Sequence, residues 1–180
     1  MRFFNTAGPV NCEKHYCLPP LSRFNLPEIL TLISQEKYFV LHAPRQSGKT
    51  SCMLALRDYL NREGRYSVLY INVEIAQTAR SDVRRGMKAI ISQLAYELDA
   101  VFSEHFLLEN RASLLEENGE DAVLGVALSL LCKNHERPLI LIIDEIDALV
   151  GDTLISVLRQ IRAGYTKRPD FFPSSIILCG

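Results

Sequence analysis

The chain has 180 residues, of which 48% are hydrophobic and 23% are charged, and its formal net charge is −1. This length suits one domain with a buried core. The balanced charge gives no global basic field for nucleic acid or anionic lipid, although a local patch for nucleic acid stays open. The sequence has no export signal and no apolar run long enough for a membrane span. Its five cysteines are widely spaced, so we expect reduced thiols and a cytoplasmic protein without membrane contact.

The first half of the chain predicts two helices and two strands after an irregular segment. Residues 1–25, which we call the lead-in, are punctuated by prolines. The stretch "LPEILTLISQ" has helical spacing, and "KYFVLHA" is a short apolar run typical of a strand. The stretch "GKTSCMLALRDYLNREG" predicts a helix that ends near Gly64. "RYSVLYINV" then predicts a second strand. We divide the chain into this lead-in and a core of residues 26–180.

The second half alternates helices and strands. "SDVRRGMKAIISQLAYELDAVF" predicts a long amphipathic helix capped by Ser81, and residues 103–118 predict another helix. A helix over "EDAVLGVALSLLCKNH" precedes "RPLILIIDEID", a strand apolar enough to be buried on both faces. "DTLISVLRQIRAGY" predicts a helix capped by Asp152 or Thr153 and ended by Gly164, and "SSIILCG" predicts a fourth strand. Alternation of this kind indicates an α/β fold with a parallel sheet covered by helices on both faces.

The stretch "HAPRQSGKT" has the pattern of a phosphate-binding loop between a strand and a helix. In such a loop Gly48 lets the backbone approach phosphate, Lys49 supplies positive charge and Thr50 supplies a hydroxyl for magnesium. The usual pattern opens with glycine where this chain has Ala43, which is tolerable if the φ angle there is below zero. The predicted nucleotide-binding residues are Ala43, Pro44, Arg45, Gln46, Ser47, Gly48, Lys49, Thr50 and Ser51.

An acidic pair follows the third predicted strand, at the same edge of the sheet as the loop. Asp144 is placed to hold magnesium together with Thr50. Glu145 is placed to orient or deprotonate an attacking water, so we predict Glu145 and Lys49 as catalytic residues. Guanine-specific proteins carry an Asn/Thr-Lys-x-Asp motif, and "TKRPD" has proline in place of the aspartate. The sequence therefore favours ATP with Mg²⁺.

Three stretches carry a family resemblance: "GPVNCEKHYCLPPLSR", "FVLHAPRQSGKT" and "LILIIDEIDALV". The chain resembles bacterial AAA-like P-loop ATPases of the group with an additional catalytic glutamate, and within it the archaeal-type and signal-transduction ATPases with numerous domains. The resemblance implies a three-layer fold with strand order 5-1-4-3-2 and a lead-in near the adenine. It also implies a polar sensor residue after the fourth strand. Here that strand runs out at Cys179 and Gly180, so we expect a fifth strand and a lid in a longer protein.

The resemblance also bears on partners. Arginines after the acidic pair reach a neighbour's nucleotide in oligomeric relatives, so Arg159 and Arg162 are either such residues or an exposed helix face. A homo-oligomer or a protein client is therefore open as a partner. The leading hypothesis is an ATP- and magnesium-dependent ATPase that acts as a molecular switch. The alternatives are a nucleotide-binding interaction module without hydrolysis, and a DNA-associated helper ATPase of the AAA type.

Overall fold

The protein forms an α/β fold around one four-stranded sheet. The computed structural model describes residues 3–6, 11, 13–44 and 46–180. All four strands are parallel, and their order across the sheet is β1-β4-β3-β2. The strands are β1 (Tyr38–Leu41), β2 (Ser67–Asn72), β3 (Leu139–Asp144) and β4 (Ser175–Cys179). This confirms the 1-4-3-2 part of the predicted order, and no further strand joins the sheet within the described residues.

Helices cover both faces of the sheet. They are α1 (Leu26–Ser34), α2 (Lys49–Glu63), α3 (Val83–Phe102), α4 (Phe106–Asn118), α5 (Val123–Asn134) and α6 (Gly151–Gly164). Helices α1 and α2 enclose one apolar core with the sheet, and α3 to α6 enclose the other. The layered arrangement expected from the alternating pattern is therefore present. Among the described residues, none of these helices has both the length and the hydrophobicity that crossing a bilayer requires.

Strand β3 lies between the two cores and contributes to both. Leu141 and Ile143 pack on the side of α3 to α6, whereas Ile140 and Ile142 pack on the side of α1 and α2. Every residue of the strand is buried, as the continuous apolar run predicts for a central parallel strand. The strand ends at Asp144, which is paired in register with Asn72 of β2. A carboxylate is thus brought to the edge of the sheet from the middle of the fold.

Two helix starts differ from the sequence prediction. Helix α3 is capped by Asp82, whose carboxylate accepts a hydrogen bond from the backbone N–H of Arg85 at 3.0 Å, and not by Ser81. Helix α6 begins at Gly151 without a side-chain cap from Asp152 or Thr153. The backbone N–H of Thr153 instead donates to the carbonyl oxygen of Arg80 at 3.2 Å. A tertiary contact therefore satisfies a donor that a cap would otherwise satisfy.

The cysteines also depart from the expectation of five reduced thiols. Cys52, Cys132 and Cys179 are free and buried in the two cores. Cys17 is disulfide-bonded, so the prediction was wrong for this residue of the lead-in. Cys12 lies outside the described residues. The free thiols thus lie in the two cores, whereas Cys17 lies in the irregular segment before the first helix.

Candidate functional site

The loop after β1 turns sharply before it enters α2. Gln46 and Gly48 both have left-handed backbone conformations, with φ angles of 60° and 83°. Gly48 directly precedes the first residue of α2. Ala43 is not among the described residues with positive φ. The condition under which alanine is tolerable at the first loop position is therefore met, and the left-handed turns fall later in the loop.

Lys49 folds back over this loop. Its ammonium group donates a hydrogen bond to the carbonyl oxygen of Ala43 at 2.7 Å. Arg23 of the lead-in reaches the loop from outside, and its guanidinium donates to the carbonyl oxygen of Ser47 at 2.6 Å. The hydroxyl oxygen of Ser47 is buried and has no hydrogen-bond partner among the described residues. Among the described residues, the cations Lys49 and Arg23 thus both contact the loop backbone, beside the unpaired hydroxyl of Ser47.

Asp144 joins the loop to the sheet. Its carboxylate accepts a hydrogen bond from the Thr50 hydroxyl at 2.8 Å and one from the backbone N–H of Glu145 at 3.0 Å. The Asp144 side chain is fully buried. Thr50 lies in the first turn of α2 and Asp144 at the end of β3, 94 residues apart in sequence. The structure therefore brings these two sequence-predicted residues together.

Tyr70 is a member of this cluster that the sequence analysis missed. Its hydroxyl donates to the same Asp144 oxygen as Thr50 does, at 2.7 Å. Burial, together with the neighbouring Asp144 carboxylate, raises the pKa of Tyr70, so the hydroxyl keeps its proton and acts as the donor. Tyr70 lies on β2 in the run "SVLYIN", where a tyrosine is indistinguishable from an ordinary core residue. The one available signal was its place two residues before the carboxyl end of a strand.

Glu145 stands next to this cluster in an unusual conformation. It has a φ angle of 57°, which is rare for a side chain larger than asparagine. Burial raises the pKa of its carboxyl, and the nearby acids Asp144, Asp147 and Glu74 raise it further, while Lys49 opposes the shift. A carboxylate whose pKa is raised is a stronger base near neutral pH. Its side chain is only partly buried, so it remains reachable from solvent.

Cys179 occupies the end of β4, beside Asp144. Its thiol is buried, and burial followed by the charge of Asp144 raises its pKa to about 12. The residue therefore stays a neutral thiol at physiological pH. Beyond it, the carbonyl oxygen of Gly180 lies 2.9 Å from Nδ1 of His42. Strand β4 thus places a weakly polar thiol beside the Asp144 carboxylate.

A cavity of about 290 Å³ lies against the loop. Its lining combines Arg23, Ser47 and Lys49 with the apolar side chains of Phe24 and Met53. Two larger cavities, of about 630 and 610 Å³, lie between α3 and α4 and beside α5 and α6. Neither of these is lined by a residue of the loop after β1, whereas the smaller cavity is lined by Ala43, Ser47 and Lys49.

The remaining predicted residues divide into three groups. Arg45 lies outside the described residues. Pro44 is exposed, whereas Ser51 is partly buried in the first turn of α2. Arg159 and Arg162 are both exposed on α6, and within the described part of the chain neither has a carboxylate within 4.0 Å. Their role toward a neighbouring subunit stays a prediction.

Comparisons with known proteins agree with the class of this site. A family model described as Nephrocystin 3, N-terminal matches residues 24–175. The chain belongs to this family. The match includes both the loop and the acidic pair of this nephrocystin 3 N-terminal domain. Together with the loop geometry, it supports the P-loop NTPase-like class, while the family itself was not named by the sequence analysis.

The structural comparison gives a weaker likeness. A chain in the structure of Drosophila ORC bound to DNA is 16% identical to this nephrocystin 3 N-terminal domain, with a TM-score of 0.45. The alignment covers 85% of this chain and 36% of that chain, so this chain spans about a third of the ORC chain. Comparison with curated proteins found no match.

Proposed function

We propose that this domain binds ATP with magnesium and hydrolyses it as a molecular switch. The observation that carries the proposal is the 2.8 Å hydrogen bond from the Thr50 hydroxyl to the Asp144 carboxylate. It places the start of α2 against the end of β3, which is the arrangement that P-loop NTPases need to hold a metal beside phosphate. Two motifs that are 94 residues apart in sequence therefore meet in the fold, which supports the proposal.

The loop fits a phosphate group. Lys49 has no carboxylate within 4.0 Å among the described residues, and its hydrogen bond to the neutral carbonyl of Ala43 can be exchanged for a charged acceptor. The unpaired hydroxyl of Ser47 offers a further donor. The positive end of α2 begins directly behind Gly48. These groups would bind and orient the phosphates of ATP.

The oxygen pair fits magnesium. Hydroxyl and carboxylate oxygens are ligands that this ion prefers, and it usually keeps several waters beside one or two protein ligands. Thr50 and Asp144 would hold the ion, whose charge would neutralise that of the phosphate oxygens. Tyr70 and the backbone N–H of Glu145 each donate to Asp144 and so fix its orientation. Glu145, with its raised pKa, would accept a proton from the attacking water.

Nucleotide binding and turnover by three variants test this assignment. We expect Lys49→Ala to lower the affinity for Mg-ATP by about 100-fold or more, because a charge-assisted contact with phosphate is lost. We expect Glu145→Gln to bind ATP but to lose turnover by about 10²- to 10⁴-fold, the usual contribution of a general base. Lys88→Ala is the matched control, since Lys88 is exposed on α3. Unchanged ATP affinity in Lys49→Ala would contradict the proposal.

The second candidate is a nucleotide-binding module that does not hydrolyse ATP. The observation that favours it is Cys179 at the end of β4, because this buried thiol is a weak hydrogen-bond donor beside the proposed phosphate site. Binding of a fluorescent ATP analogue without release of phosphate by the unmodified chain would select this candidate. Release of phosphate that depends on Glu145 would select the ATPase.

A further inference from the structure

Arg23 lies directly on the phosphate loop, although it belongs to the lead-in. It ends a short 3-10 helix, Pro20–Arg23, that precedes α1. One guanidinium nitrogen donates to the carbonyl oxygen of Ser47 at 2.6 Å. The other lies 2.4 Å from the position that a side-chain carbon on Gly48 would occupy. The guanidinium therefore packs against the loop backbone, and glycine at position 48 makes this contact sterically feasible.

Arg23 forms no ion pair within the described residues. Arg23 and Lys49 line the same 290 Å³ cavity. Within the described residues, neither side chain has a carboxylate within 4.0 Å. Two cations beside one cavity repel each other, and an anion with several charges relieves that repulsion best. The arrangement therefore suits a polyphosphate rather than a neutral ligand.

We propose that Arg23 is a second phosphate-binding cation, which exchanges its hydrogen bond to the Ser47 carbonyl for phosphate oxygens of the bound nucleotide. This inference rests on the proposed nucleotide-binding function. The exchange needs little rearrangement, because Arg23 is exposed and its one hydrogen bond given by the structure ends on a neutral carbonyl. A guanidinium matches the geometry of phosphate with two parallel N–H donors, which a lysine does not offer. The lead-in thereby becomes part of the phosphate site.

The test compares two variants of Arg23 by calorimetric titration of the full chain with Mg-ATP. Arg23→Gln keeps a donor that can face a carbonyl but removes the charge, and we expect it to lower ATP affinity by about 10- to 100-fold. Arg23→Lys keeps the charge and is expected to lose less. Arg65→Gln is the matched control: Arg65 is exposed beyond the far end of α2, about 22 Å along that helix from Lys49. Thermal unfolding of each variant checks the fold.

A salt series supplies a second readout. If Arg23 pairs with phosphate, the affinity of Arg23→Gln should fall less steeply with rising salt than that of the unmodified chain, because one screened ion pair is gone. A role confined to holding the loop leaves this dependence unchanged, and such a result would overturn the proposal. The readout compares slopes rather than affinities, so it remains decisive even if Arg23→Gln is somewhat less stable.

The other outcomes are equally decisive. Unchanged ATP affinity in Arg23→Gln, together with lost affinity in Lys49→Ala, would remove Arg23 from the site and leave the proposed function intact. Tighter binding in Arg23→Gln would make Arg23 a barrier to nucleotide, which also overturns the proposal. Equal losses in Arg23→Gln and Arg23→Lys would point to loop support alone. Absence of ATP binding by the unmodified chain would refute the nucleotide function and the role of Arg23 with it.

Discussion

Replacing Tyr70 with phenylalanine tests the cluster around Asp144 most directly. The change keeps the ring within its core and removes only the hydroxyl that donates to the carboxylate at 2.7 Å. Tyr70 is 6% exposed and Asp144 is 0% exposed, so water cannot replace the donor. A hydrogen bond to a charged group contributes about 1.5–3 kcal/mol. We expect Tyr70→Phe to lower the free energy of unfolding by that amount.

Urea denaturation measures the loss. With an m-value of about 2 kcal/mol/M, the midpoint should fall by about 0.8–1.5 M while the slope stays the same. Tyr96→Phe is the control, since Tyr96 is 57% exposed and its change should stay within about 0.5 kcal/mol. A double-mutant cycle with Thr50→Val should show coupling of more than about 0.5 kcal/mol, because both hydroxyls donate to one oxygen. Equal stability of Tyr70→Phe and Tyr96→Phe would refute this account of the cluster.

Two further predictions concern packing and the buried thiols. Gly164→Ala should destabilise the chain by about 1–3 kcal/mol in urea unfolding, because the added carbon would lie 2.3 Å from the ring of Phe172, whereas Gly125→Ala, with its nearest atom at 3.9 Å, should stabilise it by about 0.5–1 kcal/mol; equal effects would contradict the packing. Burial raises the pKa of Cys132 and Cys179 to about 12, so both should resist alkylation at pH 8 and react after denaturation. Rapid labelling of the native chain would show that these thiols are not enclosed.

The sheet was predictable from the sequence because its strands are short, continuous apolar runs. Strand β3 is the clearest case, since the run before Asp144 is buried on both faces and therefore lacks polar interruptions. The loop and the acidic pair were also visible, because each lies at the carboxyl end of a strand, where an apolar run gives way to polar residues. Local pattern and tertiary structure agree at these positions, so the pattern alone locates the candidate site.

The missed features depend on contacts between distant segments. Tyr70 meets Asp144 across 74 residues, and Arg23 meets Ser47 across 24 residues. Neither contact has a periodic signal, because a tyrosine in a strand and an arginine in a proline-rich segment are both unremarkable locally. The start of α6 escaped prediction for the same reason, since the carbonyl of Arg80 satisfies a donor that sequence reasoning assigned to a cap.

The loop between β1 and α2 is held on its two sides by contacts of different kinds. On the inner side, the half-buried Thr50 donates to the buried Asp144, which also accepts a hydrogen bond from the buried Tyr70. On the outer side, the exposed Arg23 donates one hydrogen bond to the loop backbone. Buried contacts of this kind are costly to rearrange, whereas an exposed one exchanges with little cost. If nucleotide binds as proposed, Arg23 should therefore exchange its contact with the loop more readily than Tyr70 exchanges its hydrogen bond to Asp144.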